Sequence, residues 1–280
     1  MPIRLLAVDL DGTLLDSQQQ ISNANRETLI QASARGVQVV VVTGRRFHSA
    51  EPLVKQIPCP VTLITSNGAL IGSASGEVVY RNFLPARLAR QVLETGRSYR
   101  PYAAAIFDTP SRGQIVMQEN AISDGPLGWY LTTAPERLLL VPDLVATISE
   151  DPVQVMFGGP PKKIEAIEAL LESSPTRGSV HLTWTKYLTR DISLLDVMNK
   201  GCSKGTALKL WSERCGIDRR EVMAIGDNYN DLEMLQFAGF PVVMANSCPG
   251  LARKDWFVTL PNDQDGVARA IERYILNGER

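Results

Sequence analysis

With 280 residues the chain is long for one domain and comfortable for two, and it can bury a sizeable core. Hydrophobic residues make up 44% and charged residues 21%, the proportions of an ordinary soluble globular protein rather than a disordered or fibrous one. A net charge of -1 with no basic stripe excludes nucleic acid as the main partner, and no run of about 18 apolar residues suggests a membrane span.

Read in order, the chain opens on Arg4-Leu5-Leu6-Ala7-Val8-Asp9-Leu10-Asp11-Gly12-Thr13. The unbroken apolar run is that of a strand covered on both faces, and such strands are mostly central and parallel. It ends by presenting Asp9 and Asp11, where ligands of open α/β sheets usually sit. Two carboxylates one residue apart point different ways, so one can attack while the other moves protons. That division suits phosphoryl transfer. A solvated strand-end turn explains the same residues with less. A calcium loop is rejected, because Leu14 stands where the loop needs Gly and Gln20 where it needs Glu.

Ser22 or Asn23 can cap a helix through about Arg35, with Gly36 ending it. Residues 37–42 are a second buried strand ending in Thr43-Gly44-Arg45, and a helical stretch runs toward Ile57. Residues 61–65 are a third strand, ending in Ser66-Asn67-Gly68. This strand and helix alternation predicts a parallel sheet with right-handed crossovers. A short antiparallel hairpin is expected across the turn from Gly72 to Gly76.

From about residue 82 to 196 the rhythm breaks. A helix is expected over 86–99, an irregular stretch rich in Pro and Gly over 101–142, strands over 153–157, 180–188 and 192–197, and a helix over 161–172. This is most simply a second α+β module inserted into the first. Beyond Gly201 the alternation returns: a helix from Lys204, a buried strand over 222–226 ending at Asp227, a helix over 230–238, a strand over 241–244 leading to Asn246, and a closing helix over 266–276.

In a parallel sheet the strand ends converge on one edge, so Asp9, Asp11, Thr43, Asn67, Asp227, Asn230, Asp231 and Asn246 meet there, with Lys204 opening a helix beside them. Crowded carboxylates repel one another unless a cation joins them. A cation held by such oxygen ligands is hard, magnesium before zinc. Cys59, Cys202, Cys215 and Cys248 form no Cys-x-x-Cys pair, so neither a zinc site nor a disulfide framework is expected. The amino-terminal stretch is polar by Asp9 and shows no small-residue cleavage site, which leads us to expect a cytoplasmic protein.

These residues resemble the four motifs of the haloacid dehalogenase-like superfamily of aspartate-nucleophile phosphohydrolases: Asp9-Leu10-Asp11-Gly12-Thr13, then Thr43-Gly44-Arg45, then Lys204, then Gly226-Asp227-Asn228-Tyr229-Asn230-Asp231. The large insertion before the lysine, with Ser66-Asn67-Gly68-Ala69 and Asp265-Gly266-Val267-Ala268, resembles the Cof-like branch with its α/β (type IIB) cap. Met244-Ala245-Asn246-Ser247 departs from that branch's usual Gly-Asn-Ala. The resemblance implies a Rossmann-like α/β core over 1–81 and 197–280 and a cap over 82–196 that carries specificity. It implies Asp9 as nucleophile and Asp11 as acid and base. Thr43 and Lys204 would hold the phosphoryl oxygens, and Gly44, Arg45, Asn67, Asn230 and Asn246 would contact substrate. Mg2+ would lie between the Asp9 carboxylate, the Asp11 carbonyl and Asp227, with Asp231 orienting Lys204 or a metal-bound water.

The expected reaction is magnesium-dependent hydrolysis of a small phosphate ester. A sugar phosphate is the leading class, with pyridoxal phosphate or flavin mononucleotide behind, and a monomer or homodimer is expected. A phosphomutase or phosphotransferase using the same aspartyl-phosphate, or a non-catalytic metabolite-binding protein, are the alternatives. His48 and His181 lack partners at ligand spacing. Trp129, Trp184 and Tyr187 could stack on a substrate ring, Arg81, Arg87, Arg90, Arg97 and Arg100 read as a solvated face, and Arg46 could meet a second anion.

Overall fold

The computed structural model describes residues 2–119, 127–128, 135–187 and 190–279. It divides into two compact units, Met1–Arg81 with Ser203–Arg280, and Asn82–Cys202. Residues 197–202, assigned to the first unit from the sequence, lie in the second, because the strand that begins at Ile192 runs on to Asn199.

The first unit is built on β1 (Leu5–Val8), β2 (Gln38–Val42), β3 (Val61–Thr65), β4 (Leu70–Ser73), β5 (Val78–Arg81), β12 (Val222–Gly226), β13 (Phe240–Val243) and β14 (Phe257–Val258). Their order across the sheet is β14-β13-β12-β1-β2-β3-β4-β5. From β14 to β3 the neighbours are parallel, and β4 and β5 add an antiparallel hairpin at one edge. β1 is central, paired with β12 on one side and β2 on the other. It is buried over its whole length, which is why its sequence shows no polar alternation. Leu5, Ala7, Val40, Val42, Val222 and Ala224 form the core of one face with Leu208, Met234 and Leu235 from the helices.

Helix starts follow the capping residues. The Ser22 side chain accepts from Asn25 N ahead of Asn23–Ala34, and Ser203 accepts from Thr206 N ahead of Lys204–Arg214. Two expected helices are shorter than their apolar patterns. Ala86–Thr95 ends at Gly96 and continues as a 3-10 turn through Pro101, and the 230–238 segment begins with a 3-10 turn before Leu232–Phe237.

Among the described residues the second unit holds a sheet in the order β10-β11-β9-β6-β7-β8: β6 (Ala103–Ile106), β7 (Ile115–Gln118), β8 (Leu138–Val141), β9 (Gln154–Gly159), β10 (Val180–Tyr187) and β11 (Ile192–Asn199). Three of these strands, β6, β7 and β8, fall in the stretch rich in Pro and Gly, where the sequence reading placed no strand. Helices Ala86–Thr95 and Pro161–Glu172 cover one face, packing Leu88, Val92, Ile164 and Ile167 on Val155, Phe157, Leu195 and Val197. Two members of the expected solvated arginine face are structural instead. Arg100 is buried, donating Nε to Leu93 O at 3.2 Å and pairing with Glu94 at 2.7 Å, and Arg90 donates to Ile148 O at 2.7 Å. Both close carbonyls at helix ends that would otherwise lack donors. Trp129 and Leu188 lie outside the described residues. Trp184 packs against the core and donates Nε1 to Glu168 at 2.6 Å. Among the described residues no helix is long and apolar enough to cross a membrane.

Candidate active site

Pairing of β1 with β12 continues past the strand, Asp9 N donating to Ile225 O at 3.0 Å, so Asp9 leaves the sheet beside Asp227. Gly12 then turns the chain with φ +79°. A Cβ there would stand 2.5 Å from Asp227 Oδ2, so the loop after β1 can pass this close to the β12 end only as glycine. Thr13, fully buried, donates its hydroxyl to Asp227 Oδ1 at 2.8 Å.

Lys204 is the first residue of its helix, held there by the Ser203–Thr206 capping box, and Ser203 also donates its hydroxyl to Glu233. Its buried Nζ lies 2.7 Å from Asp9 Oδ1 and 2.6 Å from Asp231 Oδ1. Asp231 Oδ2 accepts from the backbone N–H groups of Asp227 and Asn228, at 2.9 and 3.0 Å. Asp231 is therefore a fixed post that holds Lys204 and the β12 loop together. Gly226 permits this, since a Cβ there would be 2.6 Å from the Asp231 side chain.

Asp9, Asp227 and Asp231 bring carboxylate oxygens within 4.8 Å of one another, all three side chains buried. The electrostatics follow from that crowding. Burial first, then the Asp231 carboxylate, pushes Asp9 up to about 7 against the pull of Lys204. Burial and the Asp231 and Asp9 carboxylates hold Asp227 well above the usual carboxylate range. Burial alone would lower Lys204, but Asp231 and Asp9 more than reverse it and raise its proton affinity. One lysine among three buried carboxylates leaves the cluster short of positive charge. An all-oxygen donor set in that condition fits a hard divalent cation.

The remaining strand ends complete the surroundings. Thr43 is fully buried, its Oγ1 accepting from Arg45 N at 3.0 Å, and its carbonyl accepts from Asn67 N at 3.1 Å. Ser66 and Asn67 both take left-handed backbone conformations, φ 49° and 52°, which for non-glycine residues costs roughly 1–3 kcal/mol each. The turn they make sets Asn67 over Gly44, where it accepts from Asn230 Nδ2 at 3.1 Å. Thus Asp9, Thr43, Gly44, Asn67, Lys204, Asp227, Asn230 and Asp231 converge at one sheet edge.

Three further residues of the sequence reading make contacts of their own around this edge. The Arg45 guanidinium forks onto Asp11 at 2.7 and 2.5 Å and also meets Gln19. The Asp11 side chain is partly exposed. Asn246 is exposed and both ends of its amide serve the backbone: Nδ2 donates to Gly12 O at 2.8 Å and Oδ1 accepts from Asn262 N at 3.0 Å. Thr13 and Asn262 carry no role in the sequence reading. Thr13 could have been noticed as a hydroxyl four residues after Asp9, but nothing local marks Asn262, which donates Nδ2 to Leu15 O at 2.9 Å.

The family model for haloacid dehalogenase-like hydrolases matches residues 6–271. The chain belongs to the haloacid dehalogenase-like hydrolases. Among curated members of the family, it is 31% identical over 249 residues to an HMP-PP phosphatase of Serratia proteamaculans, covering 89% of this chain and 86% of that protein. It is 27% identical over 275 residues to a 5-amino-6-(5-phospho-D-ribitylamino)uracil phosphatase of Bacillus subtilis, covering 96% and 97%. A solved haloacid dehalogenase-like hydrolase from Bacteroides thetaiotaomicron superposes with a TM-score of 0.76 at 29% identity, over 97% of this chain and 99% of that one. As a haloacid dehalogenase-like hydrolase of the Cof-like branch, the chain is a phosphoric monoester hydrolase that acts on phosphorylated small molecules.

Proposed function

We propose that this hydrolase is a magnesium-dependent phosphatase of small phosphorylated metabolites, sugar phosphates first, working through an aspartyl-phosphate on Asp9. The observation that carries the reading is the buried Asp9–Lys204–Asp231 array: an acid aligned at a strand end, with the cation that would receive a phosphoryl group on the same oxygen. Asp9 attacks phosphorus and splits hydrolysis into two easier displacements. Lys204 and the Thr43 hydroxyl donate to the phosphoryl oxygens as negative charge gathers there. The Thr43 oxygen already accepts from Arg45 N, so its own proton is the one directed onward. Asp11 gives a proton to the leaving oxygen and takes one from the water that cleaves the intermediate.

The Asp9 carboxylate, the Asp11 carbonyl and Asp227 would hold the magnesium, and Thr13 fixes the orientation of Asp227. Bound there, the ion would polarise the phosphoryl group and offset the repulsion between it and the carboxylates. Asp231 keeps Lys204 in place. The named substrates of the two curated relatives, a ribitylamino ester and HMP-PP, support small phosphorylated metabolites as the class. The Asn82–Cys202 unit reads the leaving group, because the first-unit residues named above recognise only phosphate and cation.

A panel of phosphate esters with and without magnesium tests this, together with Asp9→Asn. The expected result is magnesium-dependent turnover in the wild type, phosphate recovered on Asp9 after acid quench, and neither in the variant. Substantial turnover by Asp9→Asn would sink the covalent route, and transfer of phosphate to a sugar acceptor in place of water would make the enzyme a phosphotransferase.

A further inference from the structure

Lys204 must bring a single ammonium to a single place on a flexible stem, so its position is defined only if both its backbone and its tip are held. Asp9 and Asp231 hold the tip, at 2.7 and 2.6 Å. The backbone has a harder task. The second unit ends at Cys202, so the chain enters the first unit at Ser203, one residue before Lys204. Gly201, just upstream, takes φ +70° in the connecting turn.

Ser203 is where that entry is secured. Its Oγ accepts from Thr206 N at 3.1 Å as the helix cap. The same hydroxyl donates to Glu233 Oε2, and because a carboxylate can only accept, its proton points to Glu233 and a lone pair is left for the cap. The Ser203 carbonyl lies against Gly68, where a Cβ would stand 2.2 Å from the oxygen. Glu233 also abuts the residue after the lysine: a Cβ on Gly205 would stand 2.6 Å from the Glu233 carbonyl carbon, so the first turn of Lys204–Arg214 presses directly on the start of Leu232–Phe237. Ser203 and Lys204 are buried and Glu233 is half-buried. A backbone carbonyl would satisfy the Ser203 proton as well for folding, whereas a charged acceptor makes the bond roughly twice as strong.

We propose that Glu233 is a positioning residue for Lys204, fixing through the Ser203 hydroxyl the start of the helix that carries the ammonium. The proposal rests on the phosphatase reading above, which gives Lys204 its task. Glu233 follows Asp231 by two residues, so one short segment holds the lysine at both ends, Asp231 at the ammonium and Glu233 at the helix start. The second hold matters most once Asp9 carries the phosphoryl group. Its oxygen is then no longer a full carboxylate partner for Lys204, and Asp231 with the anchored helix start keeps the ammonium aligned for the second displacement.

The experiment uses the full chain and the variants Glu233→Ala, Glu233→Gln, Ser203→Ala and the double variant Ser203→Ala/Glu233→Ala. It reads kcat and KM for p-nitrophenyl phosphate well below Tm, Tm itself, and the rate at which acetic anhydride acetylates Lys204, followed by peptide mass. In Glu233→Ala kcat should fall about ten-fold with KM within two-fold of wild type, and Lys204 should be acetylated faster. Glu233→Gln, which keeps an acceptor for the hydroxyl, should restore kcat to within about three-fold. The double variant should be no slower than the slower single one, since both remove the same bond. An unchanged kcat in Glu233→Ala overturns the proposal, whether or not Tm falls, because a purely structural role would lower Tm alone. Equal defects in the Ala and Gln variants overturn it too, as do additive defects in the double variant. If the wild type hydrolyses no ester, the phosphatase reading fails and acetylation decides alone: faster modification of Lys204 in Glu233→Ala than in Glu233→Gln upholds the anchor, and equal rates overturn it.

Discussion

Lys204 Nζ stands 2.7 Å from Asp9 Oδ1 with both side chains buried, an ion pair joining a helix start to a strand end 195 residues earlier in the chain. Asp231, 2.6 Å away on the other side, makes it a shared cation. Removing one partner of a buried pair leaves an uncompensated charge, which typically costs about 3–5 kcal/mol. Lys204→Met keeps the length of the side chain but leaves three carboxylates facing one another. We expect a clear fall in Tm and, from loss of a donor to the phosphoryl group, a drop of about 10²–10³ in kcat. Recovery of Tm on adding magnesium, without recovery of kcat, would separate the two roles. An unchanged kcat would exclude Lys204 from the reaction.

The same crowding sets the pH dependence of stability. Asp9, pushed up to about 7, and Asp227, also raised, bind protons more tightly in the folded chain than in the unfolded one. For an acid with a raised folded value, the folded state holds more protons between the two values, so stability falls as pH rises through that window. Without divalent cation, the contribution of these groups should therefore decline from about pH 4 to about pH 7. A cation that binds only the ionised, folded site restores it by mass action. The rise in Tm on adding magnesium should be larger near neutrality than at about pH 5. A metal-induced shift independent of pH would mean that the cation binds elsewhere.

How far the sequence foretold this arrangement varies with the physical cause. β1, β2, β3 and β12 are covered on both faces, so their runs of Val, Leu and Ile stood out. The Asp9, Thr43 and Asp227 positions followed because strand ends are where such runs stop. β6, β7 and β8 did not stand out. Ala103-Ala104-Ala105 has little β propensity of its own, and the strand is held by β9 and β7 on either side, partners that no local pattern reveals. The Arg45–Asp11 fork and the Asn246–Gly12 and Asn262–Leu15 bonds were invisible for a related reason. They depend on where loops meet after folding, across 34 to 247 positions of chain.

Asp11 offers a prediction that distinguishes proton transfer from scaffolding. Its ion pair with Arg45 is partly solvent-exposed on both sides, so it is of the kind worth about 1 kcal/mol or less and can open when substrate arrives. Asp11→Ala should lower the rate on an alkyl phosphate by roughly 10²–10⁴. The defect should shrink for p-nitrophenyl phosphate, whose leaving group needs little protonation. Equal defects on both esters would assign Asp11 to holding Arg45 and the loop instead.

Asn246 poses the sharpest choice between contact and support. The resemblance assigns it to substrate, yet its amide bridges Gly12 O and Asn262 N, and the neighbouring Asn262–Leu15 bond ties the same loop a second time. Gly12 abuts Asp227 Oδ2, so slack in this clasp would be felt at the carboxylates rather than at the leaving group. Each hydrogen bond lost from an exposed site is worth about 1 kcal/mol, so Asn246→Ala should lower stability by no more than about 2 kcal/mol. If the clasp positions the Asp9–Asp11 loop, kcat falls for every ester by a similar factor while KM changes little, and the apparent affinity for magnesium weakens in parallel. A substrate contact behaves differently: KM rises for the ester concerned, kcat holds, and magnesium affinity stays as it was. Steady-state kinetics across two esters, with a magnesium titration for each, tells these apart, and the second pattern would return Asn246 to the substrate.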